Sequence, residues 1–284
     1  MTTQRSGIGM KPEEGIVVPF LKWPGGKRWF VHRHLDAFPQ TYRHYIEPFL
    51  GSASVYFALR PERAVLADVN AELVDTYRAI RWRPRQVELA LEAHARRHSD
   101  EYYYRVRSAN PDSLVERAAR TLYLNRTCFN GIYRVNRAGQ FNVPRGSKSS
   151  VILDTDNFLE VSRVLRSAEL RCCDFESVID DAETGDLIFA DPPYTVRHNT
   201  NGFVKYNEKL FSWGDQERLA ASLSRAVERG VSVVATNANH ASVRDLYAQY
   251  GFRQTHVSRF SSISAASATR RQYEELILCG DAYV

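Results

Sequence analysis

Asp191, Pro192, Pro193 and Tyr194 follow directly on the apolar run DLIFA (186–190). Proline ends a strand because it has no N–H for the ladder. A turn alone does not need a carboxylate, two prolines and an aromatic ring together. Asp191 accepts hydrogen bonds, and so does the Pro192 carbonyl, which the prolines hold in a fixed direction. Two acceptors suit an exocyclic NH₂, which offers two donors. Tyr194 adds a π-face for a planar ring. Together they describe a pocket for an amino-bearing base taken out of its stack. The plainer alternative is a proline-rich turn with a surface aspartate.

Three further stretches suggest a second ligand. EPFLGSASV (47–55) reads as a strand end, a glycine turn and a helix start, where Gly51 and the small residues after it let backbone approach a ligand. Asp68, in LADVN (66–70), ends the next strand and is placed to accept both hydroxyls of a ribose. Its alternative role is capping the helix that starts near Ala71. The chain lacks GxGxxG, which disfavours a dinucleotide and leaves a nucleoside. FLKWPGGKRWF (20–30) contains GGK but not the Walker spacing, and no Ser or Thr follows Lys27. It reads as a turn that brings Trp23 and Lys27 into a pocket.

The elements that must position these residues alternate. HYIE (44–47), AVLA (64–67), ELRCC (169–173), DLIFA (186–190), VSVVAT (231–236) and EELILC (274–279) read as strands. Helical spacing covers 71–82, 86–98, 113–126, 157–166 and 215–230, the last with an acidic first turn and a terminal glycine. Alternation at both ends of the chain predicts a mostly parallel α/β sheet. The stretch 83–165 interrupts it and reads as an inserted domain between catalytic segments 19–82 and 166–284, with residues 1–18 as a loose arm. Charge follows the same division. The 284-residue chain carries +5 overall, but residues 81–150 carry 14 Lys/Arg against 6 Asp/Glu, so the remainder is net −3. From Arg117 to Leu153 there are seven basic residues and no acidic one, the footprint of a polyanion binder. Cys128, Cys172, Cys173 and Cys279 form no CxxC pair, so a metal or disulfide framework is not expected. The first twenty residues hold no signal-peptide core, and no apolar run approaches a membrane span, so a cytoplasmic protein is expected.

FLKWPGGK, EPFLGSAS, LADVN, LYLNRTCFNGIYRVNRAGQFNVPRG and ADPPY, in this order, resemble the DNA adenine methyltransferases related to bacterial Dam, in the motif order of the alpha class of amino-methyltransferases. The resemblance runs from about Phe20 to Cys279. It implies a Rossmann-like methyltransferase sheet with an inserted helical target-recognition domain carrying a β-hairpin. It implies S-adenosyl-L-methionine, no metal, and double-stranded DNA bound by a monomer. Trp23, Lys27, Asp68 and Asp191 match cofactor-holding positions. The loop of Glu47, Pro48, Phe49 and Gly51 would wrap the methionine end, and Asp174 and Phe175 would meet the cofactor adenine. Asp191, Pro192, Pro193 and Tyr194 would hold the target adenine for in-line transfer to N6. In the hairpin, Phe129 matches an aromatic wedge beside Asn130, Arg134 a guanine reader, and Ile132 and Pro144 thymine-methyl contacts. Arg145 and Lys148 read as DNA-binding residues, with a basic loop that touches only phosphates as the plainer alternative for Arg137, Arg145 and Lys148; Arg270 and Arg271 are candidate phosphate contacts, and His198 reads as a loop residue near DNA.

These matches imply GATC or a related short site. Ser147 and Lys148 stand where the family commonly has Arg and Tyr, and that Arg helps read the outer base pair. Three other readings stay open on these residues. An N4-cytosine methyltransferase usually has SPPY, and a protein-glutamine methyltransferase has NPPY and no basic hairpin. A DNA-binding module without catalysis would not need Asp68 and DPPY intact.

Overall fold

The computed structural model describes residues 17–131, 133–136, 139–195, 211–260 and 272–281. Seven strands form one sheet: β1 (Tyr45–Glu47), β2 (Ala64–Asp68), β3 (Ala168–Cys172), β4 (Leu187–Ala190), β5 (Ser232–Ala238), β6 (Arg253–Phe260) and β7 (Gln272–Gly280). Their order is β3-β2-β1-β4-β5-β7-β6. The first five are parallel, and β7 runs antiparallel to both β5 and β6. This is the mostly parallel α/β sheet that the alternation predicts, in the Rossmann-like form that the resemblance implies.

The six expected strands all form. A sheet covered on both faces buries every residue of its central strands, which then read as continuous apolar runs. In β4, Leu187 and Phe189 join the core on one face with Tyr45 and Leu66. Ile188 and Ala190 join the other with Ile46 and Ala67. The exception to the expected set is β6, RQTHVSRF, an edge strand too polar to stand out.

Chain order reverses between β1 and β4, and the crevice beyond their carboxyl ends is where such sheets bind ligands. Four loops converge there, after β1, β2, β3 and β4. Because β7 is reversed, its first residues also reach this edge, with Glu275 paired in register with Ala238 of β5.

Helices cover both faces. They are α1 (Arg28–Arg33), α2 (Ser54–Leu59), α3 (Ala71–Trp82), α8 (Phe175–Asp180), α9 (Trp213–Glu228) and α10 (Ala241–Gln249). Asn70, not Asp68, caps α3, accepting from the Leu73 N–H at 3.2 Å. A reciprocal capping box of Ser212 and Asp215 starts α9.

Between α3 and β3 the chain leaves the sheet. Pro84 opens α4 (Pro84–Arg97), Ser99 caps α5 (Asp100–Ser108), and α6 (Leu114–Thr127) packs on α3 and α4 before α7 (Phe158–Leu165) returns to β3. Helix α5, with its run of three tyrosines, is the one helix of this segment that the spacing did not predict. Residues 128–146 fold back on themselves through two isolated bridges, Cys128 with Arg145 and Val135 with Phe141. The base of this hairpin is bolted to α6. Arg126, fully buried, grips both oxygens of Asp156 at 2.6 Å and donates to the carbonyls of Phe20 and Val151. Asn125 pairs through its side-chain amide with the backbone N–H and C=O of Lys22, at 2.9 and 2.7 Å. One helix end thus ties the hairpin to the FLKWPGGK segment.

Candidate active site

Lys27 lies at the centre of the crevice, 3 % exposed, with its Nζ 2.8 Å from Asp191 Oδ1 and 3.5 Å from Glu275 Oε2. It also donates to the Tyr194 hydroxyl and the Gly25 carbonyl, both at 3.1 Å. The Tyr194 hydroxyl in turn donates a hydrogen bond to Glu275 Oε2 at 2.8 Å. Thr236 Oγ1, on β5, donates to Asp191 Oδ1 at 2.7 Å. Both contacts to Asp191 fall on one oxygen. Among the described residues its Oδ2 accepts no hydrogen bond, so one carboxylate oxygen is anchored and the other is open to an incoming donor. Pro192 is buried and Pro193 half-buried beside it.

Electrostatics follow from burial. Burial works against the Lys27 charge, but Asp191, Tyr194 and Glu275 outweigh it and hold the ammonium well above its ordinary range. Burial pushes the Asp191 carboxyl up, against the pull of Lys27. Glu47 lies across the crevice, accepting from Tyr45 Oη at 2.8 Å, and burial pushes its pKa up to about 8.

The loops after β1, β2 and β3 make the second half of the site. Asp68 accepts from the backbone N–H groups of Asn70 at 2.9 Å and Gly51 at 3.3 Å, and burial raises its pKa to about 6. Gly51 has φ +45°, and a Cβ there would lie 3.0 Å from Trp23 Cδ1. Only glycine lets the turn lie this close to the indole. Trp23 itself stacks on Tyr133, centroids 5.5 Å apart. Pro48 is buried, and Phe49 stacks on Phe175 at 5.4 Å. Asp174 caps α8 and is gripped through both oxygens by Arg218 at 2.9 Å. Of the sequence-predicted residues, Glu47, Pro48, Phe49, Gly51, Asp68, Asp174, Phe175 and Asp191 lie at the carboxyl ends of β1 to β4 or just after them, and the segment before β1 brings Lys27 to Asp191 and Trp23 to Gly51.

The hairpin leaves the end of α6, where Asn125 ties it to the segment that carries Trp23. Phe129 is 54 % exposed at the base of the hairpin, its N–H bonded to the Pro144 carbonyl at 2.9 Å, an unusual place for a large apolar ring, and Asn130 beside it has a left-handed backbone (φ +57°). Arg134 is exposed and donates through Nε to Asn142 Oδ1 at 3.1 Å. Pro144 and Lys148 are exposed. Arg145 is half-buried and pairs with Asp100 at the start of α5 at 2.9 Å. Ile132, Arg137, His198, Arg270 and Arg271 lie outside the described residues.

Sequence reasoning missed Glu275, Thr236 and Lys22. The first two sit inside apolar strand runs, and only the sheet order brings them to Asp191. Lys22 has its ammonium pushed down by burial and by Lys148 beside it, a like-charge pair suited to an anion. No group of His, Cys, Asp or Glu side chains among the described residues is arranged to hold a metal, and no described helix is long and apolar enough to cross a membrane.

Comparison with known proteins matches residues 23–263 to the model of the D12 class N6 adenine-specific DNA methyltransferases. The chain is 36 % identical over 269 residues to the type II methyltransferase M1.LlaDCHI of Lactococcus lactis subsp. cremoris, covering 92 % of this chain and 94 % of that one. It is 30 % identical over 265 residues to the DNA adenine methylase of Escherichia coli strain K12, covering 91 % and 93 %. A solved precorrin-8w decarboxylase from Methanobacterium thermoautotrophicum is matched at 11 % identity and TM-score 0.40, over 95 % of this chain and 99 % of that one.

Proposed function

The chain belongs to the D12 class N6 adenine-specific DNA methyltransferases, and from that premise we propose that it methylates N6 of an adenine flipped out of duplex DNA, using S-adenosyl-L-methionine, at GATC or a related short site. The observation that carries this reading is the half-occupied carboxylate of Asp191, with Oδ1 fixed by Lys27 and Thr236 and Oδ2 open.

The residues present fit the cofactor. A half-buried carboxylate at the end of β2, Asp68, suits a pair of ribose hydroxyls. The aromatic wall of Phe49 and Phe175 suits a planar ring. Trp23, Glu47, Pro48 and Gly51 line the turn that would receive the methionine end, with Lys27 and Asp191 behind them. Asp174, already tied to Arg218, would meet the adenine edge with its remaining lone pairs. When bound, the cofactor supplies an electrophilic methyl on a sulfonium.

The chain's own work is aiming. The N6 lone pair of adenine is conjugated into its ring and is a poor nucleophile. Hydrogen bonds from N6 to Asp191 Oδ2 and to the Pro192 carbonyl favour a more tetrahedral nitrogen and direct its lone pair. Pro193 stiffens the turn, and Tyr194 stacks on the base. Catalysis then rests on positioning and on stabilising positive charge as it develops on N6.

The segment 83–165 acts as the target-recognition domain. Phe129 wedges into the duplex beside the extruded adenine, with Asn130 beside it. Arg134 reads guanine in the major groove, and Ile132 and Pro144 meet thymine methyls. Lys148, with Lys22, Arg270 and Arg271, contacts phosphates. The chain works as a monomer in the cytoplasm.

Asp191→Ala tests the assignment. Methyl transfer to unmethylated duplex should fall by about 10³-fold or more, while DNA binding, read by gel shift, survives. A variant that still methylates overturns it. Long-read sequencing of DNA from expressing cells tests the site separately. A modified motif other than GATC or a close relative refutes the hairpin reading and leaves the chemistry standing.

A further inference from the structure

We propose that Arg218 is a positioning residue of the cofactor site, whose guanidinium fixes Asp174 so that one carboxylate oxygen faces the adenine amine and a 6-oxo base is rejected. The inference rests on the function proposed above, in which Asp174 and Phe175 meet the cofactor adenine.

Arg218 stands in the second turn of α9 and reaches the loop after β3. Its Nη1 and Nη2 donate to Asp174 Oδ1 and Oδ2, both at 2.9 Å. Its guanidinium carbon lies 4.4 Å from the centre of the Phe175 ring. Phe175 in turn stacks on Phe49 and meets Phe211 at 5.7 Å. One side chain therefore holds both residues of the adenine wall, the carboxylate by a planar fork and the ring by a cation–π contact.

The fork leaves a single acceptor position. Each carboxylate oxygen offers about two. Asp174 Oδ1 takes Arg218 and the Glu176 N–H at 3.0 Å, and among the described residues Oδ2 takes Arg218 alone. An adenine amine can donate to the position that remains on Oδ2. A 6-oxo base brings a carbonyl oxygen to the same place. Its nearest donor, N1–H, lies elsewhere on the ring edge, and the carboxylate would have to turn out of the fork to meet it.

Arg218 also donates to Glu176 at 3.0 Å and Asp215 at 3.1 Å, but both have other partners. Arg225 holds Glu176 at 2.9 Å, and Asp215 closes the capping box with Ser212. Loss of the guanidinium therefore falls on Asp174, which would keep only the Glu176 N–H. Arg218 and Asp174 are 39 % and 43 % exposed, and ion pairs so exposed add little to stability. The fork serves the ligand more than the fold.

The test uses S-adenosyl-L-homocysteine and its 6-oxo analogue, S-inosyl-L-homocysteine. Equilibrium dialysis measures both affinities for wild type, Arg218→Lys and Arg218→Gln. Wild type should prefer the 6-amino form by roughly tenfold or more. In both variants the affinity for the 6-amino form should fall and that for the 6-oxo form should hold or rise, so the preference collapses. Lysine keeps the charge and lacks the fork, so its failure to restore the preference separates orientation from charge. Asp174→Ala should abolish the preference by itself, and Arg218→Lys added to it should change the ratio no further. In turnover the loss should appear in the cofactor KM and not in kcat. An undiminished preference in either folded variant overturns the proposal. So does an equal loss for both ligands, the result of a merely structural role, or a further change of the ratio in the double variant. A wild type without the preference overturns it too. One folded variant suffices, and if neither folds, Arg218 belongs to the stability of α9 and the proposal falls. The wild-type reaction separates the two levels. If it makes no N6-methyladenine, the functional reading fails and takes this inference with it. If it does, failure of the binding test sinks the role of Arg218 alone.

Discussion

Glu47 and Asp68 give the site a measurable signature at the level of single residues. Burial raises both carboxyls, Glu47 from 4.5 to about 8 and Asp68 from 3.8 to about 6. A raised carboxyl holds its proton in the native state at pH values where the unfolded chain has released it. Its stabilising contribution is complete below the unfolded pKa and is lost as pH rises through the folded one. The ligand-free protein should therefore lose stability from pH 3.8 to about pH 6 through Asp68 and from pH 4.5 to about pH 8 through Glu47, at up to about 1.4 kcal/mol per pH unit for each group still protonated. Urea denaturation across that range measures the slope. Glu47→Gln, neutral at every pH, should flatten it above pH 6, where Asp68 has already ionised. An unaltered slope would mean that the Glu47 carboxyl is not held neutral by its surroundings.

Helix α6 is the element on which hairpin and crevice both depend. Its last turn carries the buried Arg126–Asp156 pair and the Asn125 clamp on Lys22. Asp156→Ala leaves the guanidinium buried without its counter-ion, so it should cost about 3–5 kcal/mol, read as a fall in the denaturation midpoint. A loss below about 1 kcal/mol would show that the pair is dispensable to the mount. Much of the element plan is legible in the chain. The central strands are solid apolar runs because both faces are covered, and α9 announces itself by its acidic first turn and its glycine. The edge strand β6 is not legible, since one row of polar residues is all its position demands. Helix α5 hides because its inward positions are tyrosines, and Tyr103 satisfies its hydroxyl on the Val143 carbonyl of the hairpin. The candidate site divides in the same way. Asp191, Asp68 and Gly51 are visible as residue types at strand ends, whereas Glu275 and Thr236 acquire meaning only when β5 and the reversed β7 lie beside β4.

Across the whole molecule, charge is segregated: +8 on residues 81–150 and −3 on the rest. The basic segment carries the exposed hairpin, so DNA affinity should fall steeply with salt, with a log–log slope of about −0.9 per phosphate neutralised. The structure separates two kinds of basic residue within that field. Lys148 is exposed beside Lys22, a pair of like charges whose repulsion an intervening phosphate would relieve. Arg134 is held by Asn142 on the projecting hairpin, with the fork of its guanidinium beyond that contact. Lys148→Ala should then weaken binding to all duplexes alike and reduce the salt slope by about 1. Arg134→Ala should cost about 1–3 kcal/mol on the preferred site and little on unrelated duplex. Arg145→Ala should change the salt slope less than Lys148→Ala, because Asp100 already neutralises it. Fluorescence-anisotropy titrations of each variant, on preferred and scrambled duplexes at several salt concentrations, distinguish these outcomes. Equal weakening of both duplexes by Arg134→Ala would reassign that residue to the phosphate backbone, and sequence reading would then have to come from elsewhere on the hairpin.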